Sequence, residues 1–255
     1  MSISIDQFYL TVVRLSTHSY DEIGNLDPHV LRYGTGFFYM KNEILFLITN
    51  RHVIIQETEN YFPNMLRMPI HTNLNNFRQN ADFDIHLRNA AVRLWREPNP
   101  PASDVVAIPL VDRNYLDQAR FLIRAFSPAN LLPTEIQLRI GEDVLIMGYP
   151  LGEYYDGVYN LPVVRNGIIS SAYPVPYRDN TYFLVDARLH RGTSGSPVTT
   201  KFKDTWLTTT GSVKRSGNAF YLLGINSSTF PLPPGEEPLG LNAVHFASII
   251  DQITS

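Results

Sequence analysis

The chain has 255 residues, 44% of them hydrophobic, and a formal net charge of −3. That is enough apolar material for a large core, and there is no basic excess to suggest nucleic acid or a polybasic membrane anchor. There is no cysteine, which excludes a disulfide framework, and no window is apolar and long enough to span a bilayer.

The predicted elements are mostly short strands rich in Val, Ile, Phe and Tyr. In chain order they run from Phe8 to Leu15, Gly36 to Met40, Ile44 to Thr49, Val105 to Leu110, Val144 to Gly148, Tyr182 to Ala187, and Tyr221 to Asn226. Gly, Pro and Asn punctuate them, and 18 prolines suit an all-β chain with many loops better than a helical bundle. Two helices are predicted: Tyr115 to Phe126, and Ala247 to Ile253 with Ile249, Ile250 and Ile253 on one face. Phe62 to Pro101 is polar and reads as strands joined by long surface loops. Phe230 to Pro238 reads as another exposed loop. The first seven residues lack the basic region and apolar run of a secretory signal, so a cytoplasmic location is expected.

Three segments carry chemistry. They are Ile48-Thr49-Asn50-Arg51-His52-Val53, then Ser103-Asp104-Val105-Val106-Ala107-Ile108, then Gly192-Thr193-Ser194-Gly195-Ser196-Pro197. A serine hydroxyl is a poor nucleophile until a base takes its proton. Neutral imidazole can do so near pH 7, and a buried carboxylate holds the ring in the right tautomer. Ser194 is therefore the expected nucleophile, His52 the general base, and Asp104 the orienting carboxylate. Asp82 and Asp84 are rival carboxylates, but Asp104 opens an apolar strand. Gly192 lets the chain turn so that its N–H and that of Ser194 can face a developing oxyanion. The order His, Asp, Ser is that of chymotrypsin-type serine proteases, whereas α/β-hydrolases run Ser, Asp, His. Ser196 also stands where a G-x-S-x-G nucleophile elbow needs its last glycine.

The chain resembles trypsin-like serine peptidases, particularly the disulfide-free bacterial branch that includes high-temperature-requirement proteases and glutamyl endopeptidases. Besides the three segments above, the resemblance rests on Gly34-Thr35-Gly36-Phe37-Phe38, Gly141 to Gly152, Arg165 to Ser170, Asp186 to Val198 and Gly224-Ile225-Asn226-Ser227. It implies one domain of two six-stranded antiparallel β-barrels with a short C-terminal helix. The expected parts are an N-terminal barrel over 1–112, a connector over 113–134, a C-terminal barrel over 135–246 and the helix over 247–255. The site would lie between the barrels and need no metal or organic cofactor. Protein or peptide would be the substrate. A regulatory protein partner would be compatible, and the oligomeric state is left open.

Three departures from the family are informative. Thr193 replaces the aspartate that latches a new N-terminal ammonium in digestive enzymes, so activation by N-terminal insertion is not expected. Ser196 replaces a glycine found in many relatives. Arg188 stands at the position implied for the floor of the primary specificity pocket, where it would select acidic side chains. The same resemblance implies substrate contacts for His190, Ser227, Ser228, Thr229 and His245. The sequence leaves a second reading: a non-catalytic or latent module that binds an extended segment beside Gly224 to Ser228. An esterase with the same triad is a third.

Overall fold

A computed structural model describes residues 6–20, 23, 25–27, 31–89, 92–98, 103–110, 121–152, 155–229 and 239–255. Its strands, in chain order, begin with β1 (Val12–His18), β2 (Arg32–Lys41), β3 (Ile44–Thr49), β4 (Met65–His71) and β5 (Asn80–His86). The small β6 (Arg88–Asn89) and β7 (Val92–Arg93) pair with each other, and β8 (Val106–Pro109) follows. Six of these form an antiparallel, curled sheet in the order β5-β4-β1-β2-β3-β8.

Alternation of side chains explains why β2, β3 and β8 read as near-continuous apolar runs. Phe38, Leu45, Leu47, Val106 and Ile108 fill the inside of this sheet. Phe37, Tyr39, Phe46, Ile48 and Ala107 point the other way, into a separate cluster shared with the second half of the molecule. Both faces are therefore buried, and a polar residue on either would disrupt a core.

The second half contains β9 (Asp143–Gly148), β10 (Val163–Ile169), β11 (Tyr182–Asp186) and β12 (Pro197–Thr200). A hairpin of β13 (Lys203–Leu207) and β14 (Val213–Ala219) precedes β15 (Leu222–Thr229) and β16 (Leu241–Phe246). Hydrogen bonding closes β10-β11-β16-β15-β12-β9 into a six-stranded barrel. Inside it lie Val144, Ile146, Phe183, Val185, Val198, Leu223 and Val244. The shared cluster between the halves adds Met147, Tyr149, Leu222 and Ile225 from the barrel. Two helices need labels: α1 (Arg51–Ile54) and α2 (Ser248–Ile253). Ile250 and Ile253 of α2 anchor that same shared cluster. At about 1.5–3 kcal/mol per fully buried large apolar side chain, these contacts hold the cleft walls in register. Among the described residues no helix is long and apolar enough to cross a membrane.

Two predicted elements differ from the structure. Phe8 to Thr11 belong to a 3-10 turn (Gln7–Thr11) rather than to the first strand. Asp6 Oδ1 accepts the Phe8 N–H (2.9 Å) and Thr11 Oγ1 donates to the Phe8 carbonyl (2.7 Å), so local side-chain bonds coil the segment. Coiling brings the Phe8 ring edge-on to Phe126, Phe202 and Phe220.

The predicted helix Tyr115 to Phe126 falls partly on 115–120, outside the described residues. Its remaining part is not helical. Leu122 N–H donates to the His71 carbonyl, Arg124 N–H to Leu10 and Phe126 N–H to Phe38. Every second amide thus finds a partner in neighbouring chain, which holds the segment extended against its helical periodicity. The predicted loop Phe230 to Pro238 lies outside the described residues.

Candidate active site

The site is assembled from three backbone features. The first is α1, whose N-terminal amides would be orphans without outside acceptors. Asp104, just ahead of β8, supplies them. Its carbonyl accepts Arg51 N–H (3.3 Å) and the Asn50 Nδ2 amide (2.7 Å), and its Oδ1 accepts His52 N–H (2.9 Å). Main chain and side chain of Asp104 together clamp the short helix. Arg51 steadies it from outside, donating to Glu57 and, through Nε, to Glu97 (2.9 Å).

Within that clamp His52 Nδ1–H donates to Asp104 Oδ2 across 2.5 Å. This bond assigns the proton to Nδ1 and leaves the Nε2 lone pair free to accept another. The two side chains are 35% and 27% exposed, so the pair is open to the cleft. Ser227 Oγ donates to the same Oδ2 (2.7 Å). Burial alone would push the Asp104 carboxyl up. The His52 bonds and charge and the Ser227 hydroxyl outweigh it, and hold the carboxyl below its ordinary value.

The second feature is the turn 190–195. Gly192 has φ +88° and Gly195 φ +87°. A Cβ on Gly192 would meet the Tyr149 carbonyl at 2.5 Å and Leu151 N at 2.8 Å, so only glycine fits on two separate counts. Within the turn, Thr193 N–H (3.2 Å) and Oγ1–H (2.7 Å) both donate to the His190 carbonyl. Asn226 Nδ2 donates to the Thr193 carbonyl (3.0 Å).

The third feature is Thr35 of β2, from the other half of the molecule. Its hydroxyl donates to the Gly192 carbonyl (2.8 Å) and accepts Tyr149 N–H (3.0 Å), while its amide donates to the Ser194 carbonyl (2.9 Å). His52, Gly192 and Ser194 then line one cavity of about 560 Å³ with Tyr33, Leu151 and Arg191. Ser194 Oγ donates to the Ser227 carbonyl (2.9 Å), and among the described residues no hydrogen bond joins it to His52. A larger cavity, about 650 Å³ and lined by Leu132, Tyr173, Pro174 and Phe246, contains none of these groups.

The sequence pattern described as a trypsin-like peptidase domain matches residues 34–202, about two thirds of the chain and all three features. The chain belongs to the trypsin-like peptidase domain family. Among solved structures this serine peptidase is similar to the crystal structure of Rv3671c from M. tuberculosis H37Rv, a serine-to-alanine mutant in its inactive form. The TM-score is 0.50 and the identity 14%, over 96% of this chain and 85% of that one. Likeness at that identity speaks for the fold. Comparison with curated proteins gave no match.

In this peptidase the predicted residues separate into two groups. His52, Asp104, Ser194 and Gly192 come together, joined by Ser227. Ser227 links the parts: its hydroxyl serves Asp104 and its carbonyl serves Ser194. Arg188 and His190 are exposed. Arg188 is not among the residues lining either cavity beside His52. His245 is buried against the Asp104 backbone, accepting its N–H at 3.3 Å, and borders the cavity lined by His52, Asp104 and Ser227. The side chains of Ser228 and Thr229 lie outside the described residues. Asp82 and Asp84 sit on β5, where both face Arg67.

Sequence reasoning missed Thr35, Asn50, Asn226 and the linking role of Ser227. Each is a small polar residue, and no spacing rule assigns it a partner far along the chain. Ser196 is fully buried against Gly148, where any Cβ at position 148 would run into its hydroxyl.

Proposed function

We propose that this peptidase is an endopeptidase in which Ser194 attacks a peptide carbonyl, with His52 and Asp104 completing a triad. The observation that carries this is that His52, bonded to Asp104 at 2.5 Å, lines the same cavity as Ser194 and Gly192. Attack requires Ser194 Oγ to rotate from the Ser227 carbonyl to His52 Nε2, which takes the proton. The new C–O bond forms as the carbonyl becomes an oxyanion, faced by Gly192 and Ser194 N–H. His52 then protonates the leaving amine as the C–N bond breaks, and water hydrolyses the acyl-enzyme by the reverse sequence.

The finer reading is a restricted substrate range with an acidic residue at P1. Arg188 and Arg191 are exposed cations leading into the turn, and Arg188 has no hydrogen bond or ion pair among the described residues. A free guanidinium there can take a carboxylate in a bidentate grip.

N-terminomic profiling of a denatured proteome, digested with wild type and with Ser194→Ala, tests both levels. Cleavage only by wild type, after Asp or Glu and redirected in Arg188→Ala, is expected. Cleavage by Ser194→Ala would overturn the triad, and an apolar P1 profile unchanged in Arg188→Ala would overturn the acidic pocket. One observation favours a second reading, a latent peptidase awaiting a partner: Ser194 Oγ is engaged by Ser227 rather than by His52. Fluorophosphonate labelling of Ser194 in the isolated protein would exclude it.

A further inference from the structure

The His52–Asp104 pair has a second histidine packed against it. His245 lies on β16, opposite Tyr182 of β11 and Ile225 of β15, and is 6% exposed. Its Nε2 accepts the Asp104 backbone N–H (3.3 Å). Its Nδ1 lies 3.2 Å from Thr181 Oγ1 and 3.3 Å from the Thr181 carbonyl. A ring nitrogen that accepts from an amide carries no proton, so the proton sits on Nδ1 and can be given to the Thr181 carbonyl. This arrangement exists only for the neutral ring.

The placement matters because the sheet does not hold Asp104. It lies outside β8, whose pairing with β3 begins at Val106. Its carbonyl and carboxylate are occupied by α1 and Ser227, and its amide is held by His245. A barrel strand thus reaches across to fix the loop that carries the orienting carboxylate. We propose that His245 is a positioning residue for this peptidase: its neutral Nε2 holds the Asp104 main chain so that the carboxylate faces the His52 ring, and protonation of His245 releases it. The inference rests on the serine-peptidase reading above.

Several groups face His245. Burial disfavours its charged form most and the His52 charge disfavours it further, while Asp104 and the Thr181 carbonyl favour it. The balance holds its pKa below the ordinary histidine value. The Tyr182 ring stands edge-on at 6.0 Å, and Arg51 borders the same cavity. The neutral acceptor therefore persists near pH 7 and is lost on acidification, below the range where a free histidine titrates.

The test is the rate of inactivation by diisopropyl fluorophosphate against pH for wild type, His245→Gln and His245→Leu, together with the low-field proton resonance of His52 Nδ1–H. His245→Leu leaves the Asp104 amide without a partner and should react about tenfold more slowly near pH 8. His245→Gln keeps an acceptor and should stay within about threefold of wild type. On acidification the logarithm of the wild-type rate should fall with a limiting slope steeper than one. In His245→Gln the slope should be one. The His52 resonance should be lost or shifted in His245→Leu and kept in His245→Gln.

Equal rates and resonances in wild type and His245→Leu would overturn the proposal. So would two variants that are equally slow with an unchanged slope, which packing alone would produce. If wild-type Ser194 does not react at all, the reading of an active triad falls and the latent one stands. The resonance in the two variants then still decides whether His245 positions Asp104.

Discussion

The two halves of the site are held by different kinds of force. The His52–Asp104 half rests on a charged group: a carboxylate gathers bonds from a ring N–H, a backbone N–H and a hydroxyl. The Gly192–Ser194 half contains no charge. Backbone conformation shapes it, and neutral bonds from Thr35, Thr193 and Asn226 hold it. Charge-assisted bonds are roughly twice as strong as neutral ones. The turn makes up the difference through steric exclusion, since a side chain at Gly192 or Gly195 would collide with backbone. One half should therefore respond to electrostatic substitutions, the other to volume.

The largest test of that contrast is Asp104→Asn, which keeps the shape and removes the charge. We expect kcat to fall about 10⁴-fold with little change in KM, because the amide no longer holds His52 in its working tautomer. A loss mainly in KM would mean that Asp104 serves substrate binding instead.

Gly192→Ala probes the uncharged half by volume. The new methyl group meets the Tyr149 carbonyl and Leu151 N, so the turn must shift and an oxyanion donor with it. The expected fall in kcat is about 10²–10³-fold. His52 titration, followed by NMR, should not move. A moved titration would show that the two halves are coupled more tightly than their separate supports imply.

Thr35→Val has a smaller expected effect. It removes the hydroxyl between the Gly192 carbonyl and the Tyr149 amide at nearly constant volume, and leaves a buried donor and acceptor unpaired. About tenfold in kcat and about 1–3 kcal/mol in stability should be lost, with recovery in Thr35→Ser. Denaturant melts and peptide hydrolysis check it. A Thr35→Val enzyme with wild-type kcat would mean the turn keeps its shape unaided.

The smallest effect is on stability against pH. Burial holds His71 and His245 neutral below the ordinary histidine value of 6.5. As pH falls the unfolded chain takes up protons first. The histidine contribution is therefore complete above about pH 6.5 and is lost progressively toward the lower folded values. Urea melts at about pH 7.5 and 5.5 should show lower stability at the acid end, with part of the slope removed in His71→Gln. Equal stability at both pH values would sink this account.

Much of the site could be read in the chain because its chemistry uses rare residue types in a fixed order. Ser194 behind a turn glycine, His52 behind an apolar strand, and Asp104 ahead of another are local patterns. The pocket residues were harder. For Arg188 the resemblance implies a backbone position and says nothing of where a long flexible side chain points. It is exposed. The resemblance implies substrate contacts for His245 and Ser227, but it does not tell which neighbours their polar atoms bond, and theirs reach Asp104.

The sequence by itself determined the all-β architecture and the need for glycine at position 192, and it supplies the residues proposed as nucleophile, base and carboxylate. Each follows from short-range rules of periodicity, chemistry and backbone freedom. Tertiary structure alone decided that Phe121 to Phe126 is extended, that Thr35 holds the opposite turn, and that Ser227 and His245 bond to Asp104. Those contacts join residues far apart in the chain. Their energy comes from pairing buried donors and acceptors across the two halves, and no local pattern records a partner that only folding brings near.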